Sequence, residues 1–403
     1  MSRLAAVSGA SALQAAANVS AGLVATWVLA PADRGLMVLG LTIGGISGLV
    51  GGLGSGAAFR AGLPNTSARR SLVCAYTWCS LGGLVLATAA AVSAAAVSAS
   101  WIDPALRSPA FLGATAVCTA GQVLLTQVPD GWFADGHLRR GALGAAAMSL
   151  GGLTGVLAAA PAGPSAAVLL AAQGIGIVVV GLAEVAGLCR AGLLRLSKPE
   201  SRRMRAMLRQ GSPALGLTVG LAFVLRADRY CLGVVAGPAT VGVYSLAATM
   251  SEVSRLLPAA AGQVYLRDTS VGLGARRLGG ATRFAVCAAA VGGLLVVVAG
   301  WLLVVPVFGP EFAAVVGLLP VLAVAEVCLA PFSVASRGLL GGGWTGAAGV
   351  LGCVAGGVAI VVYGLAASAG STGVAVGSVL VYAGMSVVAG DLLRRRVRTA
   401  AHT

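Results

Sequence analysis

Apolar residues fill this chain in long unbroken blocks, and the polar residues between them come in short stretches rich in Arg, Gly and Pro. A helix of about 20 such residues crosses roughly 30 Å of hydrocarbon. Twelve blocks reach that length, at approximately 8–30, 36–58, 71–99, 109–128, 141–160, 165–189, 212–236, 240–264, 284–305, 312–336, 344–366 and 372–392. The short alternating segments of an outer-membrane barrel are a different pattern. The blocks predict an all-α integral membrane protein.

The longest polar stretch, Arg190 to Gln210, lies near the middle and holds seven basic residues and the helix-breaking Lys198-Pro199. It predicts an N-terminal six-helix bundle over 1–195, a basic cytoplasmic linker over 196–210 and a C-terminal six-helix bundle over 211–403. With an even number of spans in each half, the halves are parallel repeats, related by an axis along the membrane normal. Ala30-Pro31-Ala32-Asp33-Arg34-Gly35-Leu36 and Gly237-Pro238-Ala239-Thr240-Val241-Gly242-Val243 echo each other, each with a Pro four residues before a Gly at a tight outer turn. Glycine accounts for 60 residues, mostly inside spans, where small side chains let membrane helices approach closely.

Composition closes off other classes. Of the 403 residues 58% are apolar and 10% charged, and the mean hydropathy is +0.94. A soluble domain averages about 25% charged residues, and a disordered chain needs low hydrophobicity. The net charge of +15 would point to nucleic acid in a soluble protein, but its distribution gives another reading. Twenty-two basic residues fall in one set of loops and ends and only Arg34 and Arg107 in the other. That asymmetry puts both termini in the cytoplasm, makes anionic membrane lipid the partner of the excess charge and leaves no role for nucleic acid. Met1-Ser2-Arg3 before an apolar run is reminiscent of a signal peptide; the run exceeds the usual core of about 7–15 residues and carries Gln14 and Asn18, so a retained first helix is expected.

Charge inside a span is costly, so each such residue is a candidate for function. The seventh span holds Arg226, Asp228 and Arg229; the apolar segments on either side are each too short to cross. On a helix Arg226 and Arg229 share a face, with Asp228 turned about 100° from Arg229. Two guanidinium forks on one face suit a phosphate or carboxylate, each able to donate in pairs; structural pairing with Asp228 or with a Glu on a neighbouring helix is the other reading. The eighth span has Glu252 and Arg255, spaced to neutralise each other. Glu184 in the sixth and Glu326 in the tenth are candidates for ion coupling, and Gln14 and Asn18 form a polar stripe on the first. The eight cysteines show no Cys-x-x-Cys, and His137 and His402 make no metal site alone, so no metal or cofactor is expected. Hydrolase, Walker A and zinc-protease motifs are missing, and the chain reads as a non-enzyme. Asp130 and Asp135, in a connector over 129–137, are the sole candidates for a glycosyltransferase-like metal pair, with no soluble domain beside them.

Arg226-Ala227-Asp228-Arg229-Tyr230, Gly237-Pro238, Val241-Gly242-Val243-Tyr244-Ser245-Leu246-Ala247, Ser251-Glu252 and Leu257-Pro258 together resemble helices seven and eight of Wzx-type polysaccharide flippases. These belong to the multidrug/oligosaccharidyl-lipid/polysaccharide (MOP) exporter superfamily. Val307-Phe308-Gly309-Pro310-Glu311-Phe312 looks like the outer turn before its helix ten. The resemblance implies two six-helix bundles facing a central cavity that opens alternately to each side of the inner (plasma) membrane. The implied cargo is an undecaprenyl-diphosphate-linked oligosaccharide for cell-surface polysaccharide; the intramembrane polar residues Arg226, Arg229, Asp228, Arg255, Glu252, Gln14 and Asn18 are the candidate substrate contacts. Glycan polymerase or ligase partners would act beside it. Departures are a first half without a comparable buried arginine and a first span without an acid. Twelve spans instead of fourteen separate the chain from the lipid II flippase branch. The alternatives are a MATE-like cation-coupled exporter, in which acidic residues would dominate the cavity; a membrane glycan polymerase, for which the outer loops are too short; and a non-transporting scaffold.

Overall fold

The computed structural model describes residues 2–66, 68–198, 200–270 and 274–400, which are mostly helical with no strand among them. Thirteen α-helices follow in chain order: α1 (Ser2–Val28), α2 (Pro31–Gly51), α3 (Ser55–Gly62), α4 (Arg69–Ser98), α5 (Pro109–Ala134), α6 (Leu138–Ala159), α7 (Ala166–Arg190), α8 (Ser201–Ser251), α9 (Leu256–Ser270), α10 (Gly274–Phe308), α11 (Ala314–Gly341), α12 (Thr345–Ala366) and α13 (Gly370–Ala400). Nine helical stretches among the described residues are long and apolar enough to cross a membrane. Two of these, 201–266 and 345–397, contain more than one helix: α8 bends at Gly237, and α12 is followed by α13. Helix α1 is long enough but is not among the nine; its serines, Gln14 and Asn18 dilute its apolar character.

Three expected elements take a different form. The span expected over 36–58 ends at Gly51, and a short turn leads into α3. The turn has Leu53 and Gly54 at φ 50° and 69°. Gly54 lies against Gly211, whose carbonyl oxygen is 2.3 Å from where a Cβ on residue 54 would sit. The span expected over 240–264 is divided by a 3-10 turn, Glu252–Arg255, between α8 and α9. The connector expected over 129–137 is mostly helix, because α5 runs through Pro129 to Ala134. Asp130 there pairs with Arg60 at 3.2 Å, and Asp135 with Arg69 and His137.

The chain forms two compact units, Met1–Leu215 and Gly216–Thr403. In the first, Phe59 stacks on Tyr76 with ring centroids 4.1 Å apart, over a core that includes Trp132, Met148, Leu188 and Met207. A second cluster joins Ala21, Ala25, Met37, Phe111, Cys118 and Leu169. Helices meet through glycine: a Cβ on Gly83 of α4 would fall 1.8 Å from the carbonyl oxygen of Gly51, and one on Gly176 of α7 2.0 Å from that of Gly151. Dispersion and close backbone contact hold such helices together where lipid removes the hydrophobic drive. In the second unit Gly220 of α8 meets Gly352 of α12 in the same way. Tyr244, Tyr265 and Tyr363 are fully buried there.

Turns repeat between the units with a displacement of 207 positions. Leu138–Ala159 becomes Thr345–Ala366, and the 3-10 turns Ala160–Ala162 and Ala367–Ala369 follow them. Each of those turns leads to a glycine with positive φ, Gly163 and Gly370. Before α6 and α12, Gly136 and Gly343 have φ 81° and 78°, and the next residues, His137 and Trp344, adopt φ/ψ of −83°/57° and −84°/48°. His137 N donates to Trp132 O and Trp344 N to Leu339 O. Pro31 and Pro238 each follow a residue of extended ψ, as a residue preceding proline prefers. Gly237, at φ 78°, turns α8 by a conformation that costs a residue with a Cβ about 1 kcal/mol or more. The turns Pro104–Arg107 and Pro310–Phe312 match with a displacement one residue shorter, and Leu106 and Phe312 plug the core from equivalent places.

Candidate functional site

The second unit gathers six of the nine sequence-predicted site residues into one cluster. Arg226, Asp228 and Arg229 come from the first arm of α8, Glu252 and Arg255 from the 3-10 turn after its second arm, and Glu326 from α11. Both α8 arginines converge on Glu252: Arg229 Nη2 lies 2.6 Å from Oε1 and Arg226 Nη2 3.4 Å from Oε2. The helical spacing explains this, because residues three apart face the same neighbour. Asp228, turned the other way, is buried, and its Oδ2 accepts from the Tyr244 hydroxyl at 2.8 Å and its Oδ1 from the Arg229 backbone N–H. The Tyr244 oxygen lies 3.4 Å from Ser378 Oγ on α13.

Glu252 and Arg255 do not pair with each other, contrary to their spacing. Arg255 instead binds Glu326 with two donors, Nε to Oε2 at 2.8 Å and Nη2 to Oε1. A planar guanidinium presents a carboxylate with two parallel hydrogen bonds, and Glu252 is already taken from the other side. The cluster therefore sets three arginines against three carboxylates. Its members differ sharply in access. Side-chain exposure is 3% for Arg229, 4% for Glu326, 20% for Arg255 and 41% for Arg226. Arg226 is the one cation of the six with an open approach, and it holds Glu252 by its longer contact.

The remaining predicted residues stand apart in the first unit. Gln14 is half-buried and Asn18 exposed on α1. Glu184, half-buried on α7, accepts from the indole N–H of Trp132 at 3.0 Å, and the Arg140 guanidinium lies 3.7 Å above that indole. Gly144 and Gly187 make room for the Glu184 and Arg140 side chains. The first unit does hold a buried arginine, which the sequence analysis placed in an outer loop. Arg34, 2% exposed, reaches from the first turn of α2 to the carbonyl of Gly22 at 2.7 Å and to the Thr26 hydroxyl on α1. Proline at the N-terminus of α2 starts the helix early enough to bury it. Tyr244 and Ser378 were not predicted; a Tyr in an apolar span carries no signal until its partner is known. Among the described residues no group of three or more His, Cys, Asp or Glu side chains is placed to hold a metal.

The repeat shows how lopsided the charge is. At the 207-residue displacement, Arg226, Asp228, Arg229, Glu252 and Arg255 match Val19, Ala21, Gly22, Gly45 and Gly48, all small or apolar. Gly48 packs against Gln122, whereas Arg255 in its place reaches across to a glutamate. One unit keeps the plain helical contact and the other replaces it with ion pairs.

No family model and no curated protein matches this chain. Solved structures do. The inward-facing conformation of a multidrug resistance MATE family transporter of the MOP superfamily aligns over 97% of this chain and 96% of its own, at 18% identity and a TM-score of 0.71. An outward-facing conformation of a multidrug resistance MATE family transporter of the MOP superfamily aligns over 99% of this chain and 95% of its own, at 18% identity and a TM-score of 0.65. The lipid II flippase MurJ, in an inward closed conformation, aligns over 98% of this chain and 87% of its own, at 10% identity and a TM-score of 0.76. These likenesses extend over nearly the whole chain, and they show that it has the fold of MOP-superfamily transporters.

Proposed function

We propose that this protein is an inner-membrane flippase that carries a lipid-linked oligosaccharide, on an undecaprenyl diphosphate anchor, from the cytoplasmic to the outer leaflet for cell-surface polysaccharide. The observation that carries the reading is Arg226: a half-exposed guanidinium in an apolar helix, beside a buried arginine that can hold Glu252 without it. A diphosphate arriving at the cluster takes the Arg226 fork by bidentate, charge-assisted hydrogen bonds. Arg229 and Glu252 stay paired, so the approach exposes no buried charge. The fold it shares with a lipid II flippase supports the same class of cargo. Transport, and not catalysis, is the activity.

The test is a strain lacking the gene, complemented with wild type or Arg226→Ala, in which an impermeant sugar-oxidising probe reports which leaflet holds the lipid-linked oligosaccharide. The deletion is expected to confine the glycan to the cytoplasmic leaflet. Arg226→Ala is expected to reach normal membrane abundance and lose outward exposure by about tenfold or more. Undiminished exposure with Arg226→Ala removes the diphosphate contact.

A second reading, a cation-coupled exporter of small molecules, is favoured by the acids: Asp228 and Glu326 are each buried, and three carboxylates match three arginines. It predicts drug hypersensitivity in the deletion strain, with the sidedness of lipid-linked glycan unchanged.

A further inference from the structure

The first turns of α8 carry a second basic site, separate from the cluster above. Ser201, Arg202, Arg205, Arg209 and Gln210 line an open recess of about 650 Å³. At 100° per residue the three arginines fall within about 60° of one helix face, and they span about 10 Å along it. Among the described residues none of the three has an ion-pair partner, whereas Arg203, on the adjacent face, pairs with Glu200 at 3.7 Å. The opposite face is fixed to the first unit: Met207 is buried in its core with Met204 and Leu208 beside it. Gly211 lies backbone to backbone against Gly54. The basic face is thus held outward on a rigid helix, immediately before the apolar run that begins at Pro213.

We infer that this recess binds the phosphate of an anionic phospholipid headgroup. Three unpaired guanidinium groups supply the charge complement and the paired donors that phosphate oxygens accept. Ser201 and Gln210 add neutral donors at the two ends of the face, in reach of a glycerol or ester oxygen. Its place at the start of a membrane-length apolar stretch puts it where a headgroup lies and a soluble anion does not have to be invoked. The site is independent of the cargo proposed above.

Native mass spectrometry of the purified full-length protein gives the test, with dioctanoyl phosphatidylglycerol, dioctanoyl phosphatidylcholine and inorganic pyrophosphate as probes. Wild type is expected to retain phosphatidylglycerol in preference to phosphatidylcholine. The triple variant R202Q/R205Q/R209Q is expected to bind it at least tenfold more weakly, and R205Q alone about fivefold more weakly. Two controls remove charge elsewhere: R203Q, and R394Q/R395Q/R396Q at the exposed basic end of α13. Each is expected to change binding less than twofold. Equal losses in the two triple variants would mean general surface charge and overturn the site. Equal retention of the two lipids, or pyrophosphate displacing phosphatidylglycerol at similar concentration, overturns the headgroup assignment. All substituted side chains but Arg203 are exposed, and R205Q keeps the test open should the triple variant lose its fold.

Discussion

At the scale of single residues, Glu252 carries more structural burden than either arginine bound to it. Its removal leaves Arg229, at 3% exposure and with Nε already lacking a partner, as an uncompensated buried charge. Glu252→Ala is expected to lower stability by about 3–5 kcal/mol, whereas Arg226→Ala, at a half-exposed side chain, is expected to cost about 1 kcal/mol or less. Thermal unfolding in detergent separates the two; equal losses would mean that Arg226 is structural and that its role in the proposed function fails. The pair Arg255–Glu326 offers a companion check. Either single alanine is expected to destabilise strongly, and the exchange Arg255→Glu with Glu326→Arg to recover part of the loss. The sequence alone marked all six of these charges, because charge in an apolar span stands out, and it put Arg226 and Arg229 on one face. It could not pair them. Arg229 and Glu252 are 23 positions apart and Arg255 and Glu326 are 71, and only the packing of α8, the 3-10 turn and α11 brings them together. Local spacing misled for Glu252 and Arg255, since each found a better-placed partner across the fold.

Between elements, glycine decides how close helices come, and adjacent positions on α4 make this measurable. A Cβ on Gly82 meets nothing within 4 Å, while one on Gly83 would overlap the carbonyl oxygen of Gly51 at 1.8 Å. Gly82→Ala is expected to leave stability unchanged or raise it by up to about 1 kcal/mol through helix propensity. Gly83→Ala is expected to cost about 1–3 kcal/mol, as overpacking does, because α2 must be pushed off α4. Comparable melting temperatures for the two variants would contradict the close packing of these helices. Apolar block length revealed the helices, but it does not reveal where they break. The interruption at Gly52–Gly54 lies inside an apolar stretch, and the close backbone approach of Gly54 to Gly211, far away in sequence, is visible only in the fold. The turn at Glu252–Arg255 likewise carries side chains whose partners, on α8 and α11, are far away in sequence. Pro129 gave the opposite error: a proline beside two acids reads as a loop, yet α5 passes through it, with Asp130 held by Arg60.

For the whole molecule, the repeat is the feature with the widest consequence. The single short echo around Pro31 and Pro238 is joined by matching 3-10 turns, glycines of positive φ and helix boundaries at nearly one displacement. Those similarities live in backbone conformation more than in residue identity; His137 and Trp344 share a geometry and no chemistry, so composition could not disclose them. With the even number of crossings per unit that the sequence predicts, equivalent turns of the two units are expected on the same side of the membrane. The basic residues then predict which side. Arg34 is withdrawn into the contact between α1 and α2, which leaves Arg107 as the one basic residue among the turns that follow α1, α4 and α6 and their counterparts. Positive-inside asymmetry predicts that those turns lie on the outer face. Single cysteines at Ala162, Glu311 and Ser368, in a background without the native ones, are expected to react with an impermeant thiol reagent in intact cells. Cysteines at His137 and Ser201 are expected to react only after permeabilisation. A uniformly inverted pattern would reverse the orientation but keep the repeat. A mixed pattern, with Ala162 and Ser368 on opposite sides, would overturn the expected parallel repeat, since those positions lie in matching turns.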